Sequence, residues 1–462
     1  MFLTVFKYSG IYIIRSYFLI LGSGVYGAEA LVMLLTYIAV VAIIASEKVD
    51  RLYVILAGAL VTIILSQLLH FSNIFELLKY IDLDVLGLIV AVSVISWFLA
   101  DCGIVKLAAT ALERLGSPVL VVQALALISG LASIFLENVS TVLLIAPTAL
   151  AVCGRLGIDP VATLILVSVS SNMAGSATLV GDPPAALTAS YLNLGFGDFI
   201  IYDGRPSMFF MTLIPMIVAI ATMPAYVRIT GRTKKSSSKS SGINDSRRSP
   251  VKVSYVIAVI TALIVKVALL TLRKELGLSL SASALPPALA LLLIYGRGKF
   301  VRVLKEGIDI KLLAFLASMF IMVGGLNESG AITLIANWFT STAGGSLIIT
   351  ALLIVFVSVL VSAFVDNVPY VAAMLPAIAM VAGGLGGGRG TVVSLAWALL
   401  IGATLGGNIT YIGASANYAA VRILESGGRK VTFARFMRIG LPFTLISVGT
   451  ALAIYYPVWL MP

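Results

Sequence analysis

Two short runs in this chain set a carboxylate beside an asparagine in the middle of apolar sequence: Glu137-Asn138-Val139-Ser140-Thr141 and Asp366-Asn367-Val368-Pro369. A carboxylate in hydrocarbon is costly unless it faces protein or water, so each run is a candidate site for a small ion. Asparagine brings both an acceptor and a donor, and Ser140 and Thr141 add hydroxyls. Two further runs interrupt helices that would otherwise continue. SSNMAGSATLVGDPPAALT (170–188) holds Asn172, Gly175, Ser176, Thr178, Asp182 and Pro183; GATLGGNITYIGASANYA (402–419) holds Thr404, Asn408, Thr410, Ser415 and Asn417. The two prolines after Asp182 remove helical donors and clash with the preceding turn, so a new half-helix starts there with Asp182 as its cap. Carbonyls freed at such breaks suit a hard cation held through oxygen, which makes Asn138, Asn172, Asn367 and Asn408 the candidate Na⁺ ligands. The new helix starts at 139–141, 183 and 368–370 suit an anion. Capping accounts for one asparagine at a helix start, and close packing accounts for the glycines. Neither accounts for Asn172, Asp182, Asn408 and Asn417 together.

The elements that carry these motifs follow from composition. The chain has 462 residues, 60% hydrophobic and 11% charged, with mean hydropathy +1.09. Soluble domains carry roughly a quarter charged residues, so this is an all-α polytopic membrane protein, its spans forced to be helical by the backbone's need for internal partners in lipid. The net charge of +11 sits in short loops between apolar spans, as membrane topology demands, and nucleic acid is not an expected partner. Cys102 and Cys153 lie in apolar surroundings with no CxxC or Cys/His cluster, and His70 ends a span. Neither a disulfide framework nor a zinc site is expected.

The chain is also written twice. Residues 81–103 align with 308–330, FLENVST (135–141) with FVDNVPY (364–370), and SNMAGSATLVGDPP (171–184) with ATLGGNITYIGASA (403–416). The reading is two inverted-topology repeats with 10–11 transmembrane helices. Residues 1–28 form an N-terminal helix, spanning or interfacial, because Lys7, Gly10 and Arg15 make a poor signal peptide. Repeat 1 is 29–230, with a re-entrant hairpin at 118–153 and a broken helix at 160–192. The linker 231–250, with six basic residues and one acid, is cytoplasmic. Repeat 2 is 251–462, with a hairpin at 346–382 and a broken helix at 392–422. Only if both hairpins return to the side they start from do the basic loops around Arg155, Arg302 and Arg435 share the linker's side. A site at the interface of two such repeats is the signature of a transporter.

GGLGGGRG (383–390) lacks GK[ST] and is a loop, not a phosphate cradle. With no nucleotide motif and no cofactor expected, the driving force must be an ion gradient, Na⁺ or H⁺, bound or exchanged at Glu137, Asp182 and Asp366. The near absence of Lys and Arg inside the four motifs leaves a small inorganic or organic anion or oxyanion, a neutral hydroxide such as arsenite, or Na⁺ against H⁺. An intramembrane aspartyl enzyme is disfavoured because each acid is paired with asparagine, and a passive channel because occluded hairpins suit alternating access.

At these motifs the chain resembles the ion transporter superfamily, and within it the branch of arsenite permeases, sodium–proton antiporters and the P protein. SNMAGSATLVGDPP looks like that branch's first broken helix; DNVP (366–369) and GGNITYIGASAN (406–417) look like its second half. The resemblance implies a homodimer in a prokaryotic-type inner (plasma) membrane, with a scaffold domain and a transport domain that moves as an elevator. It implies an arsenite-permease-like transporter of a small anion or oxyanion coupled to Na⁺ or H⁺. A Na⁺/H⁺ antiporter is the alternative and a divalent anion (dicarboxylate):Na⁺ symporter the lesser one, since the tips lack that branch's Ser-Asn-Thr.

Overall fold

The computed structural model describes residues 27–46, 48–103, 117–230, 253–295 and 298–461. The expected N-terminal helix before residue 27 and the linker 231–250 lie outside these residues. Repeat 1 runs α1 (Ala28–Ala45), α2 (Arg51–Leu68), the short α3 (Ile74–Lys79), α4 (Leu83–Asp101), α5 (Pro118–Ser133), α6 (Asn138–Leu156), α7 (Pro160–Gly175), α8 (Pro183–Tyr191) and α9 (Met208–Thr230). Repeat 2 runs α10 (Val253–Leu272), α11 (Leu280–Tyr295), α12 (Ile310–Glu328), α13 (Ala331–Ala343), α14 (Leu347–Ser362), α15 (Asn367–Gly384), α16 (Arg389–Gly406), α17 (Ser415–Ser426) and α18 (Phe433–Tyr455). One two-stranded ribbon, Ile201–Tyr202 with Arg205–Pro206, is the only sheet among the described residues. Side-chain caps start many helices: Asp50 accepts from Leu52, Asp82 from Asp84 and Val85, Ser346 from Ile349.

The contacts show that 118–156 is a hairpin. Ser129 Oγ donates to the Val167 carbonyl and Thr178 Oγ1 to that of Ile134, so α5 ascends alongside α7. Cys153 bonds Thr163 near the start of α7, whereas Asn138 bonds Asn172 near its end, so α6 descends. Nineteen residues make α6 long enough to span alone, yet the two arms run in opposite directions and meet at the turn 134–137. Repeat 2 copies this: Ser362 Oγ donates to the Ala403 carbonyl and Thr410 Oγ1 to that of Ala363.

The two copies are inverted. Arg389, opening α16, donates to the Leu192 carbonyl at the end of α8 (2.9 Å). Arg435, in the first turn of α18 just after α17 ends, pairs with Asp159, the cap of α7 (3.2 Å). Thus α7 enters from the face where α17 leaves, and α16 from the face where α8 leaves. The breaks between the half-helices meet in the interior, where every residue from Val161 to Gly175 is buried.

The remaining helices form a second layer. α4 packs on α11 and, as the repeat requires, α2 packs on α12. Lipid-facing residues such as Leu60, Ile64 and Leu293 stay exposed, as a bilayer solvent allows. Asp101 and Glu328, equivalent in the repeat, close opposite ends of this layer. Asp101 bonds Lys299 (2.6 Å) and Tyr255, and Glu328 accepts from Tyr80 (2.6 Å).

Candidate transport site

Where the two broken helices cross, four asparagines form one hydrogen-bonded chain. Asn138 Nδ2 donates to Asn172 Oδ1 (3.3 Å), and Asn172 Nδ2 to Asn408 Oδ1 (3.0 Å) and the Thr404 carbonyl (3.1 Å). Asn417 Nδ2 donates to the same Asn408 oxygen (3.2 Å) and to the Gly407 carbonyl (3.1 Å). Beside it Ser176 and Thr404 share a hydroxyl bond of 2.7 Å. In the repeat alignment Asn172 stands for Thr404 and Ser176 for Asn408, so the Asn172–Asn408 and Thr404–Ser176 pairs are one contact seen twice across the internal two-fold. These side chains are all buried. The crossing is tight enough to require glycine: a Cβ on Gly181 would lie 2.3 Å from the Gly175 carbonyl oxygen and 2.4 Å from that of Ser133. One on Gly413 would lie 2.3 Å from the Ser362 oxygen.

The carboxylates cap the new helices. Glu137 accepts from the Ser140 amide (2.7 Å), Asp366 from Val368 (3.0 Å) and Asp182 from Ala185 (3.0 Å). Asp182 also takes the Ser176 hydroxyl (2.6 Å). The helix starts at 139–141, 183 and 368–370, expected to face an anion, are therefore occupied by the chain's own acids. The start of α17 differs. Its cap position is Ala414, with no side-chain bond, because repeat 2 has alanine where repeat 1 has Asp182.

That bare helix start opens on a cavity of about 400 Å³ bounded by Asp50, Arg51, Asp309, Lys311, Phe315, Asp366 and Ser415. Arg51 donates to Ser415 Oγ (2.7 Å), lies 3.5 Å from Asp366 Oδ2, and places its guanidinium 5.9 Å from the Phe315 ring centre. Ser415 in turn donates to Asp366 (2.9 Å). In repeat 1 the matching position is almost closed: Glu137 and Asp182 line a space of about 10 Å³ against Leu88, Ile89 and Val92 of α4.

The remaining sequence candidates are placed as follows. Thr178 and Thr410 hold the hairpin turns by their carbonyls, and Thr141 bonds the Glu137 carbonyl in its own turn. Gly175 allows the approach of Gly181, and Pro183 starts α8. Asn367 is buried, and its Nδ2 has no hydrogen-bond partner. It is not joined to the asparagine chain. Arg51 and Tyr37, whose hydroxyl donates to the Pro369 carbonyl (2.6 Å), were not singled out by sequence. Both come from the second layer, and nothing in their own surroundings marks a contact more than 300 positions away.

A family profile described as citrate transporter (CitMHS) matches residues 41–402. The chain belongs to the CitMHS family. An uncharacterized transporter of Mycobacterium tuberculosis is 34% identical over 435 residues, covering 92% of this chain and 96% of its own length. The human P protein is 24% identical over 482 residues, covering 88% of this chain and 57% of its own, in line with the superfamily resemblance. Among solved structures, the Alcanivorax borkumensis YdaH transporter aligns over 94% of this chain and all of its own, with TM-score 0.53 at 16% identity. Neisseria gonorrhoeae MtrF aligns over 95% and 96%, also at 0.53, with 14% identity. The fold is that of these transporters, and this protein is a membrane transporter of the CitMHS family.

Proposed function

We propose that this transporter is a secondary active carrier of a small anion, driven by Na⁺ or H⁺ and working by an elevator motion of the hairpins and broken helices. The supporting observation is the start of α17: a helix N-terminus without a side-chain cap, beside the Arg51 guanidinium, under a cavity of about 400 Å³. N–H groups and a guanidinium together recognise carboxylate or oxyanion oxygens. The family description favours a carboxylate such as citrate; a charged oxyanion would present similar oxygens, whereas arsenite would enter as a neutral hydroxide. The asparagine chain, with Glu137 and Asp182 beside it, is the proposed place of the coupling cation. The open cavity at Asp366 and the closed one at Glu137 are the two ends that an alternating cycle exchanges. The acid pair at Glu137 and Asp182 also favours the second reading, exchange of Na⁺ for H⁺ without an anion.

The basic residues Lys48, Lys299, Arg302 and Arg435 lie on the face where the chain leaves α9 for the linker, which we take as cytoplasmic. A homodimer through the second layer is the assembly implied by resemblance. Reconstituted vesicles decide the function. Radiolabelled citrate, arsenite and ²²Na⁺ are offered under imposed pH or Na⁺ gradients. Gradient-dependent accumulation of an anion supports the proposal; ²²Na⁺–H⁺ exchange without anion uptake supports the second reading; no accumulation of any of them overturns both.

A further inference from the structure

One charged side chain in the interior takes no part in the site above. Lys266 lies in the middle of α10, in the sequence VITALIVKVALL, and is completely buried. It stands on the helix stripe that faces protein, in line with Tyr255, Val259, Ala262 and Leu270, so it does not reach out toward the bilayer surface. Its Nζ donates to the Phe135 carbonyl at 3.2 Å. Phe135 is in the turn of the first hairpin, two residues before Glu137, and the turn leaves its carbonyl outside the helical ladder. Among the described residues Lys266 forms no ion pair.

A lysine held in an apolar helix by one backbone carbonyl is poorly compensated, because an ammonium without a carboxylate has lost its hydration for a single bond. Such a residue within a span marks function. What it holds is informative. The bond joins the second layer to the tip of a hairpin, and it does so on the closed side, where the space around Glu137 is about 10 Å³. On the open side the equivalent residue, Phe364, is 50% exposed and lines the large cavity. The first helix of repeat 1 has no lysine at the matching depth; there Tyr37 holds Pro369 through a neutral hydroxyl. Of these two ties between layers, only the one at Phe135 can be charge-assisted, and so only its strength changes with a proton.

We propose that Lys266 is a proton-controlled latch, a positioning residue whose ammonium pins the first hairpin to α10 by a charge-assisted bond, and whose deprotonation to bulk water leaves only a neutral amine's weaker bond and so loosens that hairpin. The groups that face it are few. On its own helix, Tyr255 is bonded to Asp101 and Arg273 to Asn193, at opposite ends and roughly 16 Å and 10 Å away along the axis at ~1.5 Å per residue. From α4 come Asp101, paired with Lys299, Cys102, and Asp84, bonded to Leu280 and Ser281. From α11 comes Tyr295, and from the loop after α8 comes Asp198, paired with Lys274. In the hairpin itself Glu137 is committed to the Ser140 amide, with Asp182 behind it. None of these carboxylates pairs with Lys266, so its own protonation sets the strength of the bond.

The test reads the latch itself and does not need the substrate, so it can fail or succeed independently of the proposed function. Hydrogen–deuterium exchange of peptides covering 131–141 is measured in detergent at pH 6 and pH 9, corrected for intrinsic exchange, on wild type, Lys266→Arg and Lys266→Met. The wild-type turn should exchange at least tenfold faster at pH 9. The arginine variant, which stays protonated, should remain protected at both pH values, and the methionine variant should be fast at both. A pH response in Lys266→Arg equal to that of wild type overturns the proposal, as does a wild-type turn whose exchange does not change with pH. If Lys266→Met does not fold, as judged by gel filtration, the arginine variant decides alone.

Discussion

Replacing Asn172 and Asn367 separately by alanine should split stability from transport. Asn172 is fully buried and central: it accepts from Asn138 and donates to Asn408 and to the Thr404 carbonyl. Its removal leaves the Asn138 Nδ2 without its partner and takes one donor each from Asn408 and Thr404. Asn408 keeps the bond from Asn417, so its loss is the smallest of the three. At about 1–3 kcal/mol for each buried group left unsatisfied, the loss is on the order of 3 kcal/mol. Asn367 is just as enclosed, but its Nδ2 has no partner to lose. Asn367→Ala removes a buried donor whose desolvation was uncompensated, so stability should move by less than about 1 kcal/mol. Both variants should lose transport, since one breaks the chain between the repeats and the other removes the only amide at the second tip. Thermal unfolding in detergent, followed by uptake into vesicles, makes the comparison. Asn367→Ala with an unchanged melting temperature and no uptake would support the site. Equal destabilisation of the two, or wild-type uptake in either, would refute the reasoning.

Other outcomes follow from the same contacts. Gly181→Ala and Gly413→Ala place a Cβ within 2.4 Å of backbone oxygens and should abolish folding, read as loss of monodisperse protein. Arg51→Gln removes an ion pair whose arginine is 46% exposed, so stability should change by no more than ~1 kcal/mol. If Arg51 binds the anion, KM should rise at least tenfold with kcat little affected. Cysteines introduced in the linker at Ser237 and Ser240 should react with a membrane-impermeant maleimide only from the cytoplasmic side, the buried Cys102 and Cys153 staying unlabelled; labelling from outside whole cells would reverse the orientation.

Much of the architecture was legible because membrane sequence is constrained at every level. Backbone groups in lipid allow only helices, so 60% apolar composition decides the class. A double proline must break a helix. A duplicated pattern of acid, asparagine and glycine therefore located both hairpins and both breaks. Even the inversion was readable, since the basic loops share one side only if 118–153 and 346–382 turn back.

Tertiary structure decided who meets whom. Pairs such as Asn172 with Asn408, Arg51 with Asp366 and Lys266 with Phe135 join residues far apart in the chain. Local pattern carries no information about them, because a helix specifies which face is buried but not which neighbour covers it. The same holds for the roles of the acids. Sequence allowed Glu137, Asp182 and Asp366 to be ion ligands, and packing made each of them a helix cap as well. Of the four helix starts within the motifs, the one after Ala414 alone lacks a side-chain cap, and the fold brought an arginine to it. Composition and periodicity thus determined the class, the spans and the breaks, which depend on each segment's own energy in lipid. The site's chemistry depends on distances between segments, and those are set by how the two halves pack.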